Sequence, residues 1–275
     1  MKTLTNHTII YDDECPMCKE YTKAFVKTGM LDKNGREAYT EAVNGNLPNI
    51  DWNRARNEIA MINKKDGTIT YGAESVLTII GHSFPFFQPL FNSALFKFLV
   101  RRLYFFVSYN RKVVAPGKQF EGCDACTPDM NYAYRWAYII FAWLVTSFIL
   151  VFYSKLAVPL FPESGFAREF IVCGGQIIFQ GAIVLLMRKE RAIHYLGNMM
   201  TISLGGAILL CPMFLVARFI DSNLFFVGYF MMVVALMFLE HLRRVKILGL
   251  PWFISGTWVL YRFLVLFVIL YLLQL

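Results

Sequence analysis

Cys15 and Cys18 stand one helical turn apart in Tyr11-Asp12-Asp13-Glu14-Cys15-Pro16-Met17-Cys18. Two thiols at that spacing can form and break a disulfide with each other. They can also supply half of a zinc site, or be two unrelated core residues. The elements that hold them bear on the choice. Upstream, His7 to Asp12 reads as a short β-strand centred on Ile9 and Ile10. Downstream, the residues up to Thr28 read as a helix, with Tyr21, Thr22, Phe25 and Val26 offering an apolar face. The pair therefore falls at a strand-to-helix junction. The free amides of a helix's first turn, with the dipole behind them, stabilise a thiolate and lower the pKa of Cys15. Pro16 suits the first helical position, where an amide hydrogen would have no partner. Cys18 is then spaced to attack a mixed disulfide formed at Cys15. Asp12, Asp13 and Glu14 pull the other way, because negative charge disfavours the thiolate. This crowding predicts a reducing or weakly oxidising dithiol.

The chain has 275 residues, of which 57% are hydrophobic and 17% charged, and its mean hydropathy is +0.47. A soluble globular domain carries roughly a quarter charged residues. Most charges lie before about residue 120 and the long apolar runs lie after it. The pattern predicts a soluble domain over 1–118, a linker over 119–132 and a transmembrane helical domain over 133–275. The net charge of +8 does not point to nucleic acid, since much of the excess sits between apolar runs, where membrane topology accounts for it. Met1 to Thr8 is polar and does not read as a signal peptide.

Within the soluble part, Gly29 and Asp32 to Gly35 end the first helix, and Arg36 to Val43 is ambiguous between strand and helix. Asp51 to Asn57 reads as a short helix. Glu58 to Ile62 and Thr68 to Tyr71 read as strands joined by a Lys65-Asp66-Gly67 turn, and Ala73 to Ile80 as a helix. This order, with the cysteine pair after the first strand, is that of an α/β thioredoxin-like domain. The stretch resembles the DCC family of thiol-disulfide oxidoreductases. The likeness rests on the Asp12 to Cys18 motif, on Glu58 to Ile62 with Asp66-Gly67 and Tyr71-Gly72-Ala73, and on Tyr109-Asn110-Arg111. It covers roughly residues 7 to 115. It implies a dithiol enzyme with Cys15 as nucleophile and Cys18 as resolving thiol, with Asp12, Asp13, Pro16 and Arg111 shaping the site. It implies no cofactor beyond the dithiol, and a protein or small-thiol substrate. Thioredoxins place a cis-proline just before the hairpin. Arg54 to Asn57 contain no proline, so groove-type peptide binding does not carry over.

Phe84 to Tyr109 is aromatic and apolar but is interrupted by Lys97, Arg101 and Arg102. It reads as one amphipathic helix that closes the soluble domain, either as a core helix or against the bilayer surface. Arg111, Lys112 and Lys118 form a basic segment after it that suits anionic headgroups. A second pair, Cys123 and Cys126, follows. It suits a relay dithiol exchanging with Cys15-Cys18, a four-thiolate zinc site formed with them, or a loop with free thiols. Five spans are expected: Tyr134 to Tyr153, Glu169 to Met187, His194 to Ala217, Leu224 to Leu239 as the shortest, and Phe253 to Leu273. Arg188, Lys189 and Arg191, and Arg243, Arg244 and Lys246, fall on the side of the soluble domain. That side is therefore cytoplasmic, and the C-terminus is outside. Arg262, Glu240 and His241 are polar exceptions in or at the ends of spans. Cys173 and Cys211 are placed to meet near the outer surface as a membrane dithiol that passes electrons to an outer acceptor or a quinone. The alternatives to an enzyme are a non-enzymatic membrane protein that binds zinc through its cysteine pairs, and a carrier with a redox-sensing domain.

Overall fold

The computed structural model describes residues 1–45, 50–116, 128–158, 160 and 165–271. The chain divides into two compact units, 1–135 and 136–275. Cys123, Cys126 and Lys118 lie outside the described residues.

The first unit is built on β1 (His7–Tyr11). It lies in a four-stranded mixed sheet of order β2-β1-β3-β4, with β2 at Arg36–Ala38, β3 at Ala60–Asn63 and β4 at Ile69–Tyr71. β1 runs parallel to β2 and antiparallel to β3, and β3 runs antiparallel to β4. Ile9 and Ile10 point to opposite faces, and both are buried. Ile9 packs with Leu31, Met61 and Ile79, and with Phe25 of α1 (Pro16–Lys27). Ile10 packs with Tyr39 and Ala42 of α2 (Tyr39–Asn44) and Ala55 of α3 (Trp52–Asn57). Helices therefore cover both faces of β1, which is why its centre is an apolar pair rather than an alternation.

The ambiguous stretch Arg36 to Val43 holds both elements, β2 running directly into α2. In the β3–β4 hairpin, the Asp66 carboxylate accepts the Thr68 amide at 2.9 Å, and Gly67 takes φ +73°. After β4 comes α4 (Ala73–Ser83). The single helix expected over Phe84 to Tyr109 is not continuous. It consists of a 3-10 turn at Pro85–Phe87, α5 (Gln88–Asn92) and α6 (Ala94–Val114). Pro85 and Pro89 each sit at the start of one of the short segments, where a residue without an amide hydrogen is tolerated. α6 turns Tyr104, Ser108 and Arg111 towards the sheet and leaves Leu95, Phe98 and Leu99 exposed.

Beyond this lie α7 (Tyr132–Ser154), α8 (Phe166–Met187), α9 (Lys189–Leu210), the short α10 (Met213–Val216), α11 (Asn223–Ile247) and α12 (Phe253–Tyr271). Among the described residues, five helical segments are long and apolar enough to cross a bilayer, as befits a membrane protein. α9 is the central helix of the second unit and packs against both α8 and α11. Three span limits differ from expectation. α9 starts at Lys189, so Arg188 alone joins α8 to α9, and Lys189 and Arg191 lie in the first turn of α9. The third span breaks at Cys211-Pro212 before α10. The fourth is not the shortest: α11 runs for 25 residues. Glu240 bonds to Arg243 and Arg244 one turn on, which carries the helix past its apolar part.

Candidate functional site

Asp12 lies immediately after β1 and sets the turn into α1. Its Oδ1 accepts the amides of Glu14 at 2.9 Å and Cys15 at 3.1 Å. This side-chain turn delivers Cys15 to the N-cap of α1, with Pro16 in the first turn as expected. The amide of Cys18 points at Cys15 Sγ from 3.5 Å. A thiol thus occupies the position normally held by a serine or aspartate oxygen, facing the helix's free amides. Both thiols are free and buried, with Cys15 0% and Cys18 7% exposed.

The second oxygen of Asp12 accepts Nε of Arg111 at 3.0 Å, across 99 residues of sequence. Arg111 is held by Ser108 Oγ at 3.1 Å and the Arg56 carbonyl at 2.8 Å, and Ser108 in turn donates to the Asn57 carbonyl. The backbone just before β3 is therefore fixed by a buried guanidinium and a hydroxyl. Lys112 pairs with the buried Glu14 at 2.8 Å and lies 3.8 Å from Asp12. Asp13 turns away and accepts the Thr40 hydroxyl at 2.9 Å.

The acidic crowding expected to oppose a Cys15 thiolate is thus partly offset, and the net shift is downward. The Cys15 thiol falls from its ordinary 9.0 to about 7. The main cause is a hydrogen bond from the Cys18 thiol, opposed by burial; Asp12 raises the value and Arg111 lowers it. The Cys18 thiol is pushed far up, by donating that bond and by burial. The pair is therefore differentiated into a low-pKa thiol at the cap and a proton-holding thiol one turn on.

A cavity of about 280 Å³ opens beside Cys18. Its walls are mostly apolar, with Met17 and Tyr21 from α1 and Leu103, Tyr104 and Val107 from α6. Asp12, Ser108 and Arg111 supply its polar part. Burial raises the hydroxyl pKa of both Tyr21 and Tyr104, so both remain neutral. Potential ligand atoms of Asp12, Cys15 and Cys18 lie within 4.8 Å of one another, close enough to hold one metal ion.

The structure brings Cys15, Cys18, Asp12, Pro16 and Arg111 together, and it gives Asp13 to the neighbouring helix. Ser108, Lys112 and Tyr104 also surround the site, although no sequence motif singles them out for it. Their one visible signal is the spacing of Tyr104, Ser108 and Arg111, which puts three polar groups on one stripe of an apolar helix. Cys173 and Cys211 have different surroundings. Cys173 lies beside Ser147 and within electrostatic reach of Arg262, whereas the Cys211 thiol bonds the Ala207 carbonyl of its own helix at 3.6 Å. Comparison of the chain with family models, with curated proteins and with solved structures finds no match.

Proposed function

We propose that the first unit is a thioredoxin-like thiol-disulfide oxidoreductase of the DCC type, carried on a membrane domain. The observation that carries this reading is the capping thiol. Cys15 sits at the start of α1, opposite the Cys18 amide, with its pKa drawn down to about 7. The sheet order β2-β1-β3-β4 and the Asp12–Arg111 pair, which ties the first family-like motif to the last, support it. In the reaction, the Cys15 thiolate attacks one sulfur of a substrate disulfide. An S–S bond forms at Cys15, and the other substrate sulfur leaves as a thiolate. Cys18 then gives its proton to the departing substrate thiolate and attacks Cys15 Sγ. This closes the Cys15–Cys18 disulfide and releases the second substrate thiolate, so that two electrons pass to the substrate. The basic residues of the α8–α9 hairpin and at the end of α11 support a cytoplasmic position for this unit and an external C-terminus.

The test is mixed-disulfide trapping in cells with Cys18→Ser, after acid quenching and alkylation. A covalent adduct that vanishes in Cys15→Ser/Cys18→Ser is the expected result. The absence of any adduct sinks the proposal. The Asp12, Cys15 and Cys18 cluster favours one second reading, a thiolate metal site. Its mark is stoichiometric zinc in the purified protein that is lost in Cys15→Ser. Arg111, already bonded to Asp12, stands against it.

A further inference from the structure

The second unit contains polar groups that its own fold does not satisfy. α8 and α12 are joined by hydrogen bonds from Tyr261 Oη to the Val172 carbonyl at 2.7 Å and between the Gln180 amide and Thr257 Oγ1 at 3.2 and 3.3 Å. Gln176 lies one turn from both Val172 and Gln180, on the α8 face that meets α12. It is only 8% exposed, yet its Nε2 has no hydrogen-bond partner among the described residues. Trp258, stacked on His241 and Phe238 of α11, is 1% exposed and its Nε1 also lacks an acceptor. The Arg262 guanidinium lies 3.8 Å from the centre of the Trp258 ring. Arg262 Nε is buried without a partner, and among the described residues Arg262 makes no ion pair. Glu169, the acidic residue of α8, is bonded by Arg168 at 2.9 Å.

Two buried donors, one of them on a cation, therefore lie along the α8–α12 seam without an acceptor: Gln176 Nε2, and Arg262 Nε, whose guanidinium is within electrostatic reach of Cys173 on α8. Backbone carbonyls within helices are already bonded, and no water in a bilayer core is at hand to replace them. Leaving such donors unmet forfeits their hydration with nothing in return. The fully bonded neighbours show that this bundle can satisfy polar groups. His241 accepts or donates at both ring nitrogens, to Tyr195 and Ser255, each at 3.0 Å. The missing partner is one that brings acceptors only. Arg262 is near the middle of the 19-residue α12, so its partner must also be at home deep in the apolar phase. Around it, Leu260, Phe263 and Leu264 are exposed on the lipid-facing surface of the helix. A headgroup phosphate is held at the interface by its own hydration. A flat, neutral, lipid-soluble ring with carbonyl oxygens is not.

We infer that the α8–α12 seam binds a quinone, its carbonyl oxygens accepting from Arg262 and Gln176. The inference does not depend on the dithiol chemistry of the first unit and concerns binding alone. The test is titration of the detergent-purified full chain with decylubiquinone, following saturable quenching of tryptophan emission, with oleate as the anionic comparison. Arg262→Gln and Gln176→Leu should each raise the Kd at least tenfold, and Arg262→Lys should raise it less. Circular dichroism checks that each variant keeps its helices, and if Arg262→Gln loses them, Gln176→Leu becomes the deciding variant. Equal Kd values in wild type and in every folded variant would overturn the inference. So would saturable binding of oleate with none of decylubiquinone.

Discussion

Replacing Cys18 with alanine removes the largest cause of the low Cys15 pKa. The thiol stands at about 7 instead of 9.0, a difference of two units. At 1.36 kcal/mol per unit, that is about 2.7 kcal/mol in favour of the thiolate. At pH 7 it means about half the molecules carry a Cys15 thiolate, against about 1% for an unperturbed thiol. The gain in rate is smaller, because a more stable thiolate is a weaker nucleophile. With a Brønsted slope of 0.4–0.5, two units cost about six- to tenfold in intrinsic reactivity, leaving a net advantage of about five- to eightfold at pH 7. The assay is residue-resolved alkylation of the reduced full chain by iodoacetamide between pH 5 and pH 10. The sign is fixed: reactivity rises as pH climbs through the thiol's pKa and levels off above it. In the wild type the midpoint for Cys15 should lie near 7. In Cys18→Ala it should move upward by more than one unit, and its plateau above pH 9 should exceed that of the wild type. Removing the Cys18 side chain also opens the cavity, which changes absolute rates at every pH, so the midpoint is the deciding quantity. Coincident midpoints, or a wild-type midpoint at 8.5 or above, would refute the reasoning.

Two further outcomes follow from the surrounding structure. Arg111→Met leaves Asp12 as a buried carboxylate without its main partner, which should cost about 3–5 kcal/mol. The melting temperature of the full chain in detergent should therefore drop, Asp12→Asn/Arg111→Met should recover much of the loss, and a double-mutant cycle that gives no coupling would contradict the pairing. Gly72→Ala should lose about 1–3 kcal/mol by the same melting assay. Gly72 holds φ +61°, and an added Cβ would come 2.5 Å from Glu58 Oε2; an unchanged melting temperature would show that this turn relaxes freely.

The parts that were legible in the sequence are those fixed by local chemistry. The strand at Ile9 and Ile10, the Pro16 helix start and the Asp66-Gly67 hairpin each follow from one or two neighbouring residues. The five apolar segments were equally plain, because a bilayer-length run is a property of composition. Helix limits were less so wherever charge and apolarity separate. Glu240, Arg243 and Arg244 read as the end of a span by hydropathy, yet their mutual bonds extend α11 to Ile247. How far the acidic residues offset the lowering at Cys15 was not legible, for a related reason. Asp12, Asp13 and Glu14 are adjacent in sequence, whereas the cations that answer two of them, Arg111 and Lys112, arrive from about a hundred residues away.

That distance bears on how the site is assembled. Asp12 uses one oxygen to shape the turn that presents Cys15 and the other to hold Arg111. The cap of α1 and the docking of α6 are thus coupled through a single carboxylate. Arg111 also fixes the Arg56 carbonyl just before β3, so three segments remote in sequence meet at one guanidinium. A dithiol placed by α1 alone would have the helix amides but also the uncompensated field of three acidic residues. With α6 in place, Arg111 and Lys112 offset that field at Asp12 and Glu14, and Asp13 is engaged by Thr40. In the first unit, then, the buried charges beside the thiols have partners within the fold. Arg262, in the second unit, has no ion pair among the described residues. One chain applies the ordinary rule for buried charge around its cysteines and departs from it in the seam between α8 and α12. Because a guanidinium without an acceptor, beside a second unmet donor on Gln176, is costly in an apolar medium, the departure is best explained by a partner that the chain itself does not supply.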